Sequence, residues 1–445
     1  MSTILVCAVP TPGHVLPMRL IARHLREQGH AVHFLTGALF ADMLQADGFG
    51  FEPLCPQGDC DYRDPTFEVP AAGASGAVAV DYNALPPGDA QMALALAHFF
   101  APAVPFIHQQ LQVLITERDV DVVVFDSMFT GLLPLLQHAA RPATLMIGVT
   151  PFALTTGDSL LFGPRIPPQV LPPALRGRCL RSPDEAAMLQ QVHDAFSAAT
   201  GRAGGQPLSR SFTDEMILHS DACLQLATTA FEYPRTDAPA HVQFIGPLPC
   251  APGMADLTAT PWADDDPRPL IVATQGTLAN KDLTQLLAPT LLALADQPVR
   301  VLATTGGREP HGLPMPENAW LVPFAPFDHW LPRAAALITN GGYGTVQFAL
   351  SHGVPVIVAG GGEDKQEVGT RVAMAGCGVD LGTGWPTAVA VGRAVAAVLH
   401  DPAVRAGARR IALQNRHTDA LARIAATVAR LAPTTTQLRR AVRHG

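Results

Sequence analysis

The sequence predicts an α/β protein made of two doubly wound domains that face each other across a cleft. Three observations lead there. The chain has 445 residues, more than one hydrophobic core usually organises, so two units of roughly 200 residues are expected. Short apolar runs alternate with amphipathic stretches in both halves, the pattern of a parallel sheet covered by helices on both faces. A Pro- and Asp-rich segment over 247–269 separates the two stretches. The division is therefore an N-terminal domain over 1–246, a linker over 247–269 and a C-terminal domain over 270–445, whose last helix can pack back on the first domain.

The first unit reads as a buried strand over 4–9, a Pro/Gly turn, an amphipathic helix over about 15–28 and a second strand over 31–36. This is a βαβ unit of Rossmann-like type. Apolar strands follow over 120–125, 143–148 and 222–226. Two stretches, about 56–90 and 151–180, are rich in Pro and Gly and have no clear periodicity. Loops of that length are usually functional. After the linker the pattern restarts with a strand over 270–274, a helix near 283–295 and a strand over 299–304. Further strands over 335–339, 355–358 and 378–381 each precede a helical pattern. No fixed-period repeat interrupts this order.

Hydrophobic residues at 48% against 15% charged residues exclude a disordered chain. No stretch reads as the roughly 18 apolar residues of a membrane span. The N-terminus has no basic region before its apolar run and enters a strand pattern at once, so a cytoplasmic protein is expected. The seven cysteines, Cys7, Cys55, Cys60, Cys179, Cys223, Cys250 and Cys377, form no CxxC pair. Free thiols are expected, with neither a disulfide framework nor a zinc site. A net charge of -8 without a basic block in the first 400 residues argues against nucleic acid as a partner.

The strongest chemical signal is Ile338-Thr339-Asn340-Gly341-Gly342-Tyr343-Gly344-Thr345, between a buried strand and a helix. Glycines at such a turn let backbone N–H groups approach a phosphate at the positive end of the helix dipole, and Thr345 adds a hydroxyl. Alone, the glycines could equally serve a tight turn that needs a positive φ. They do not stand alone. Downstream come Gly353-Val354-Pro355 and Gly360-Gly361-Gly362-Glu363-Asp364-Lys365-Gln366, the latter at the carboxyl edge of the sheet where ligands of open α/β sheets bind. Upstream lie Gln275-Gly276-Thr277 and Phe324-Ala325-Pro326-Phe327.

These five segments together resemble the donor-binding region of the GT-B glycosyltransferases of family 1. That group includes plant and bacterial small-molecule glycosyltransferases and macrolide-inactivating enzymes. The resemblance extends over nearly the whole chain. It implies a nucleotide-diphosphate sugar as co-substrate, with Phe324 on the base and Phe327 at the base edge. Thr277, Asn340, Gly341, Gly342, Gly344 and Thr345 would hold the diphosphate, while Asp364 and Lys365 would face the sugar. Four positions depart from the common pattern: Asn340 stands for His, Phe348 for the ribose-binding Glu, Lys365 for Gln and Phe327 for Gln. Uracil or thymine, and glucose or a deoxy-sugar, both stay open.

In the N-terminal half, Pro12-Gly13-His14-Val15-Leu16-Pro17 follows the first strand, at the loop before the first helix. In similar enzymes this histidine is the general base that takes the proton from the acceptor hydroxyl. The alternative for His14 is a capping or merely exposed side chain. Asp126 ends the strand over 120–125 and so shares the sheet edge with His14, which makes it the carboxylate to orient the imidazole; otherwise it is a helix cap. Asp121 begins that strand and points to the opposite edge.

The mechanism implied is a single inverting displacement at the anomeric carbon, with the helix N-terminus stabilising the departing nucleotide diphosphate. No metal or other cofactor is expected. Asp264-Asp265-Asp266 forms a DxD by count and reads as a solvated part of the linker. Phe99, Phe100, Phe106, Phe129, Phe152 and Phe162 are candidates either for ordinary core or for the wall of a pocket for a small apolar acceptor such as a polyphenol, polyketide or lipid-like molecule. The same architecture also hosts nucleotide-sugar epimerases, and an inactive nucleotide-sugar binding protein is a further alternative. The presence of both His14 and Asp126 favours the transferase.

Overall fold

The computed structural model describes residues 1–61, 66–70, 77–85, 88–155, 183–234, 238–250, 260–263, 265–277 and 280–443. Its first sheet is formed by β1 (Thr3–Cys7), β2 (Ala31–Thr36), β3 (Gly50–Pro53), β6 (Val122–Asp126), β7 (Ala143–Gly148), β8 (Ala222–Gln225) and β9 (Val242–Phe244), with β4 (Thr66–Pro70) and β5 (Ala77–Asp81) set apart as an antiparallel pair. The seven strands lie in the order β3-β2-β1-β6-β7-β8-β9, all parallel. The second sheet holds β10 (Leu270–Thr274), β11 (Arg300–Thr304), β12 (Ala319–Val322), β13 (Ala336–Thr339), β14 (Val356–Val358) and β15 (Gly378–Asp380). Its order is β12-β11-β10-β13-β14-β15, again parallel throughout.

Each sheet reverses its direction of growth once, between β1 and β6 in the first and between β10 and β13 in the second. Such switch points open a crevice at the carboxyl ends of the strands. The central strands are Val, Ile and Leu runs because successive side chains leave for opposite, helix-covered faces. In the first sheet Leu5, Cys7 and Phe125 enter one core, while Ile4, Val6, Phe34 and Val124 enter the other. In the second, Val272, Leu302 and Leu337 face one side and Ile271, Val301 and Ile338 the other.

Two segments cross between the units. The C-terminal helix Ala420–Arg443 inserts Ile424, Val428 and Ala432 into the core that holds Ile4 and Val124. Conversely, Ala227 and Phe231, just after β8, pack into the core of the second sheet beside Tyr343 and Val346.

The sequence reading is amended in several places. The first helix is Pro12–Glu27, so Pro12, Gly13 and His14 form its first turn instead of a preceding loop. Proline suits that position because its missing N–H would have had no partner there. The strand read over 120–125 is Val122–Asp126 and takes in Asp126 itself. The short edge strands β3, β9 and β12 and the β4/β5 pair inside the first long stretch had no signal strong enough to be read. Among the described residues one helix, Asp89–Glu117, is long and apolar enough to cross a membrane, which the sequence reading did not anticipate. Half of its apolar window is buried inside the protein, where Val104, Leu111 and Leu114 join the core with Leu5 and Phe125.

Candidate active site

A cavity of about 1220 Å³ lies between the carboxyl edges of the two sheets. On its N-terminal side the first turn of the Pro12–Glu27 helix presents His14. The imidazole Nδ1 sits 2.9 Å from Asp126 Oδ1. Asp126 is fully buried at the end of β6, where its other oxygen accepts the Val9 N–H at 2.6 Å and Oδ1 also accepts the Met128 N–H at 2.7 Å. These bonds follow from the parallel β1–β6 pairing, which sets Cys7 beside Phe125 and carries both chains past the sheet edge together. Asp121, at the other end of β6, instead accepts the Thr3 N–H at 3.0 Å.

Burial works to lower the His14 pKa, but the charge of Asp126 and its hydrogen bond outweigh it. Asp364 and Glu363 add to the rise, so the imidazole titrates above its ordinary range. The two acids belong to the other sheet, at the start of the helix Lys365–Met374. Burial raises the Asp364 pKa first, and Glu363 raises it further against the opposing charges of Lys365 and His14. The electrostatics of the two domains thus meet at one place.

On the C-terminal side the turn after β13 leads into the helix Tyr343–Ser351, capped by Gly342. Asn340, buried, donates from Nδ2 to the Gln275 carbonyl at 2.5 Å, tying the turn after β13 to the turn after β10. Gly341 has φ +97°, and a Cβ there would lie 2.9 Å from Val358 Cγ1. The close packing and the left-handed backbone both require glycine. The first turn of this helix then aims its N–H groups into the cavity, an arrangement suited to an anion.

Of the residues singled out by sequence, His14, Thr277, Phe327, Asn340, Gly342, Gly344, Thr345, Asp364 and Lys365 line this cavity. Asp126 stands behind His14, and Gly341 lies beneath the turn. Phe324 is not part of the wall; it is 53% exposed and lies against Gly307, whose added Cβ would be 3.1 Å from the Phe324 ring. Lys365 is paired with Glu363 and not, as its place in the sequence next to Asp364 would suggest, with that neighbour. Glu363 has φ +54°, a left-handed conformation that is uncommon for a side-chain-bearing residue and turns its carboxylate back to the Lys365 ammonium.

The apolar side of the cavity comes from the N-terminal half. Phe99, Phe100 and Phe152 line it, together with Leu16, Met92 and Leu96. One wide turn over Leu96–Phe100, in the helical stretch Asp89–Glu117, brings both phenylalanines to the wall. Phe129 is instead core, Phe106 is exposed on its helix, and Phe162 lies outside the described residues. Asp264 also lies outside them, while Asp266 binds Arg268 through both carboxylate oxygens, so this end of the DDD run is a local ion pair. Sequence reasoning missed Tyr82, Glu363 and Trp385, all in the cavity wall. Burial and the nearby Glu363 and Asp364 raise the Tyr82 phenol.

Residues 291–431 match the family described as Erythromycin biosynthesis protein CIII-like, C-terminal domain. The chain is 32% identical over 448 residues to UDP-glycosyltransferase 2 of Phaeomoniella chlamydospora, covering 96% of this chain and 95% of that one. It is 32% identical over 418 residues to 4'-demethylrebeccamycin synthase of Lentzea aerocolonigenes, covering 92% and 94%. Among solved structures, the calicheamicin glycosyltransferase CalG4 superposes with a TM-score of 0.70 at 21% identity over 97% of this chain and 98% of that one. The glycosyltransferase SsfS6 of Streptomyces sp. SF2575, solved with thymidine diphosphate, superposes with a TM-score of 0.64 at 15% identity over 97% and 100%.

Proposed function

The chain belongs to the GT-B glycosyltransferases of family 1, and from that premise we propose that it moves a sugar from a nucleotide diphosphate to a hydroxyl of a small apolar acceptor, with inversion at the anomeric carbon. The observation that carries this reading is that His14, backed by Asp126, opens into the same cavity as the Asn340–Thr345 turn. A proton acceptor and an anion cradle on opposite walls are what a displacement of diphosphate by an alcohol requires.

In this reading the acceptor hydroxyl attacks the anomeric carbon while His14 Nε2 takes its proton, and Asp126 stabilises the imidazolium that forms. The bond to the diphosphate breaks, and the negative charge is taken up by the first turn of the Tyr343–Ser351 helix with Thr345 and Thr277. Phe327 contacts the nucleoside, and Asp364 and Lys365 face the sugar. Phe324 contributes to base binding only by movement toward the cavity. The cradle supplies the charge stabilisation, so the reaction is assigned no metal, and a cytoplasmic location suits a nucleotide-sugar donor.

The acceptor is read from the wall formed by Leu16, Met92, Leu96, Phe99, Phe100 and Phe152, which favours planar aromatic or polyketide-like molecules. The relative named 4'-demethylrebeccamycin synthase supports that class. The test is a panel of UDP- and dTDP-sugars crossed with phenolic, polyketide and sterol acceptors in EDTA-containing buffer, read by mass spectrometry of the products. Glycoside formation with release of UDP or dTDP is expected. Activity that appears only when Mn²⁺ is restored would overturn the metal-free mechanism, and no glycoside from any pair would overturn the acceptor assignment.

A further inference from the structure

Arg371, on the helix that begins with Lys365, has a guanidinium that is 1% exposed. All five of its N–H groups find acceptors. Nε and Nη2 bind the two oxygens of Glu232 at 2.9 Å each. Nη1 binds the Glu367 carboxylate at 2.8 Å and the Glu367 carbonyl at 3.1 Å. Nη2 also donates to the Phe152 carbonyl at 3.1 Å. The guanidinium lies over the Tyr233 ring, 4.2 Å from its centroid, and the Tyr233 hydroxyl donates to Glu367 at 3.3 Å. The planar fork serves three chain segments with five donors, whereas an ammonium has only three.

The partners matter because of where they lead. Phe152 follows β7 and forms part of the apolar wall, with its ring 5.5 Å from Phe244. Glu367 lies at the cavity one turn before Arg371, and the same helix starts at the sugar-facing Asp364 and Lys365. One buried cation therefore connects the acceptor wall to the donor-facing helix across 219 positions of sequence.

Resting on the transfer reading above, we propose that Arg371 is a positioning residue that holds the Phe152 wall and the start of the Lys365–Met374 helix in register, so that the acceptor hydroxyl and not water reaches the anomeric carbon. In either outcome the carbon–oxygen bond to the diphosphate breaks with its electron pair leaving on the nucleotide. The attacking oxygen loses its proton to His14, and the product is a glycoside or the free sugar. A loosened wall leaves the bond-breaking groups in place and lets water compete.

The test compares Arg371→Lys and Glu367→Gln with the wild type, using the best donor and acceptor of the panel. Glycoside and free sugar are measured in the same reaction. Arg371→Lys is expected to lower the ratio of transfer to hydrolysis at least about tenfold, the scale of a misplaced acceptor, and to raise the acceptor KM more than the donor KM. Glu367→Gln keeps the Arg371–Glu232 pair and so a folded protein, and it should move the ratio the same way by a smaller factor; it decides the matter if Arg371→Lys does not fold. A ratio within twofold of wild type in the folded variants, with both rates falling together, would overturn the proposal. A wild-type enzyme that transfers to no acceptor would instead strike the transfer reading on which it rests.

Discussion

His14 Nδ1 lies 2.9 Å from Asp126 Oδ1, although 112 positions separate the two residues in the chain. The contact is made by topology: β1 and β6 are neighbours at the point where the first sheet reverses, Asp126 is the last residue of β6, and His14 lies in the first turn of the helix that follows β1. Asp126 is held by the Val9 and Met128 N–H groups, so the carboxylate has little freedom to turn away from the imidazole.

This pair sets the expected pH dependence. Burial lowers the His14 pKa, and Asp126, then Asp364 and Glu363, raise it by more. A base works in its neutral form, so kcat/KM should rise through an acidic limb above the roughly 6.5 of an ordinary histidine and level off beyond it. The stability that the pair contributes has the opposite sense: it is present below the unfolded-state pKa and is lost as pH rises through the higher folded-state value. Asp126→Asn removes the charge, so the limb should move to lower pH while the plateau drops by about tenfold or more. A rate profile that keeps its limb and plateau in Asp126→Asn would assign the orienting role elsewhere.

His14→Ala tests the base directly. Turnover should fall about 10²-fold or more, the usual scale for a lost general base, while the dissociation constant for UDP or dTDP, measured by calorimetry, stays close to wild type. Equal losses in both quantities would mean that His14 serves nucleotide binding instead.

How far the sequence carries can be judged from these elements. The central strands were readable because a parallel strand buried on both faces must be an apolar run, as in β1, β6, β10 and β13. The end of one such strand puts Asp126 on the sheet edge of His14, whereas the approach of the Gln275 turn to Asn340 follows from the β10–β13 pairing seen only in the folded chain. The edge strands β3, β9 and β12 are three or four residues long and partly exposed, so their composition carries little signal. The Lys365 pairing could not be read either. It depends on the positive φ of Glu363, a backbone state that no local residue preference announces. Arg371 and Glu232 lie 139 positions apart and carry no motif, so their network becomes visible only once the chain is folded.

Gly341 offers a structural test of the cradle. At φ +97° and with a would-be Cβ 2.9 Å from Val358 Cγ1 and 3.3 Å from the Lys365 backbone, Gly341→Ala should cost about 1–3 kcal/mol of stability and weaken nucleotide binding about tenfold. Nothing lies within 4 Å of a Cβ at Gly344, so Gly344→Ala should leave the melting temperature nearly unchanged. Thermal melts with and without UDP read both effects. Identical melting temperatures for the two variants would show that the turn after β13 can relax around a side chain.

The last prediction concerns the choice of sugar. Lys365 has only 9% of its side chain exposed and pairs with Glu363, which leaves the Asp364 carboxylate to face the cavity without that ammonium drawn onto it. An ammonium only donates hydrogen bonds, whereas the amide of glutamine both donates and accepts. Lys365→Gln would therefore remove the counter-charge of Glu363 and add an acceptor beside the sugar hydroxyls, which favours a fully hydroxylated sugar over a deoxy-sugar. The expected result is a change of about tenfold in the ratio of kcat/KM between UDP-glucose and a dTDP-deoxy-sugar, the equivalent of about 1.4 kcal/mol for one altered polar contact. The ratio comes from competition assays with both donors in one reaction, which cancels any loss of active protein. A ratio that stays within twofold of wild type would remove Lys365 from the sugar subsite.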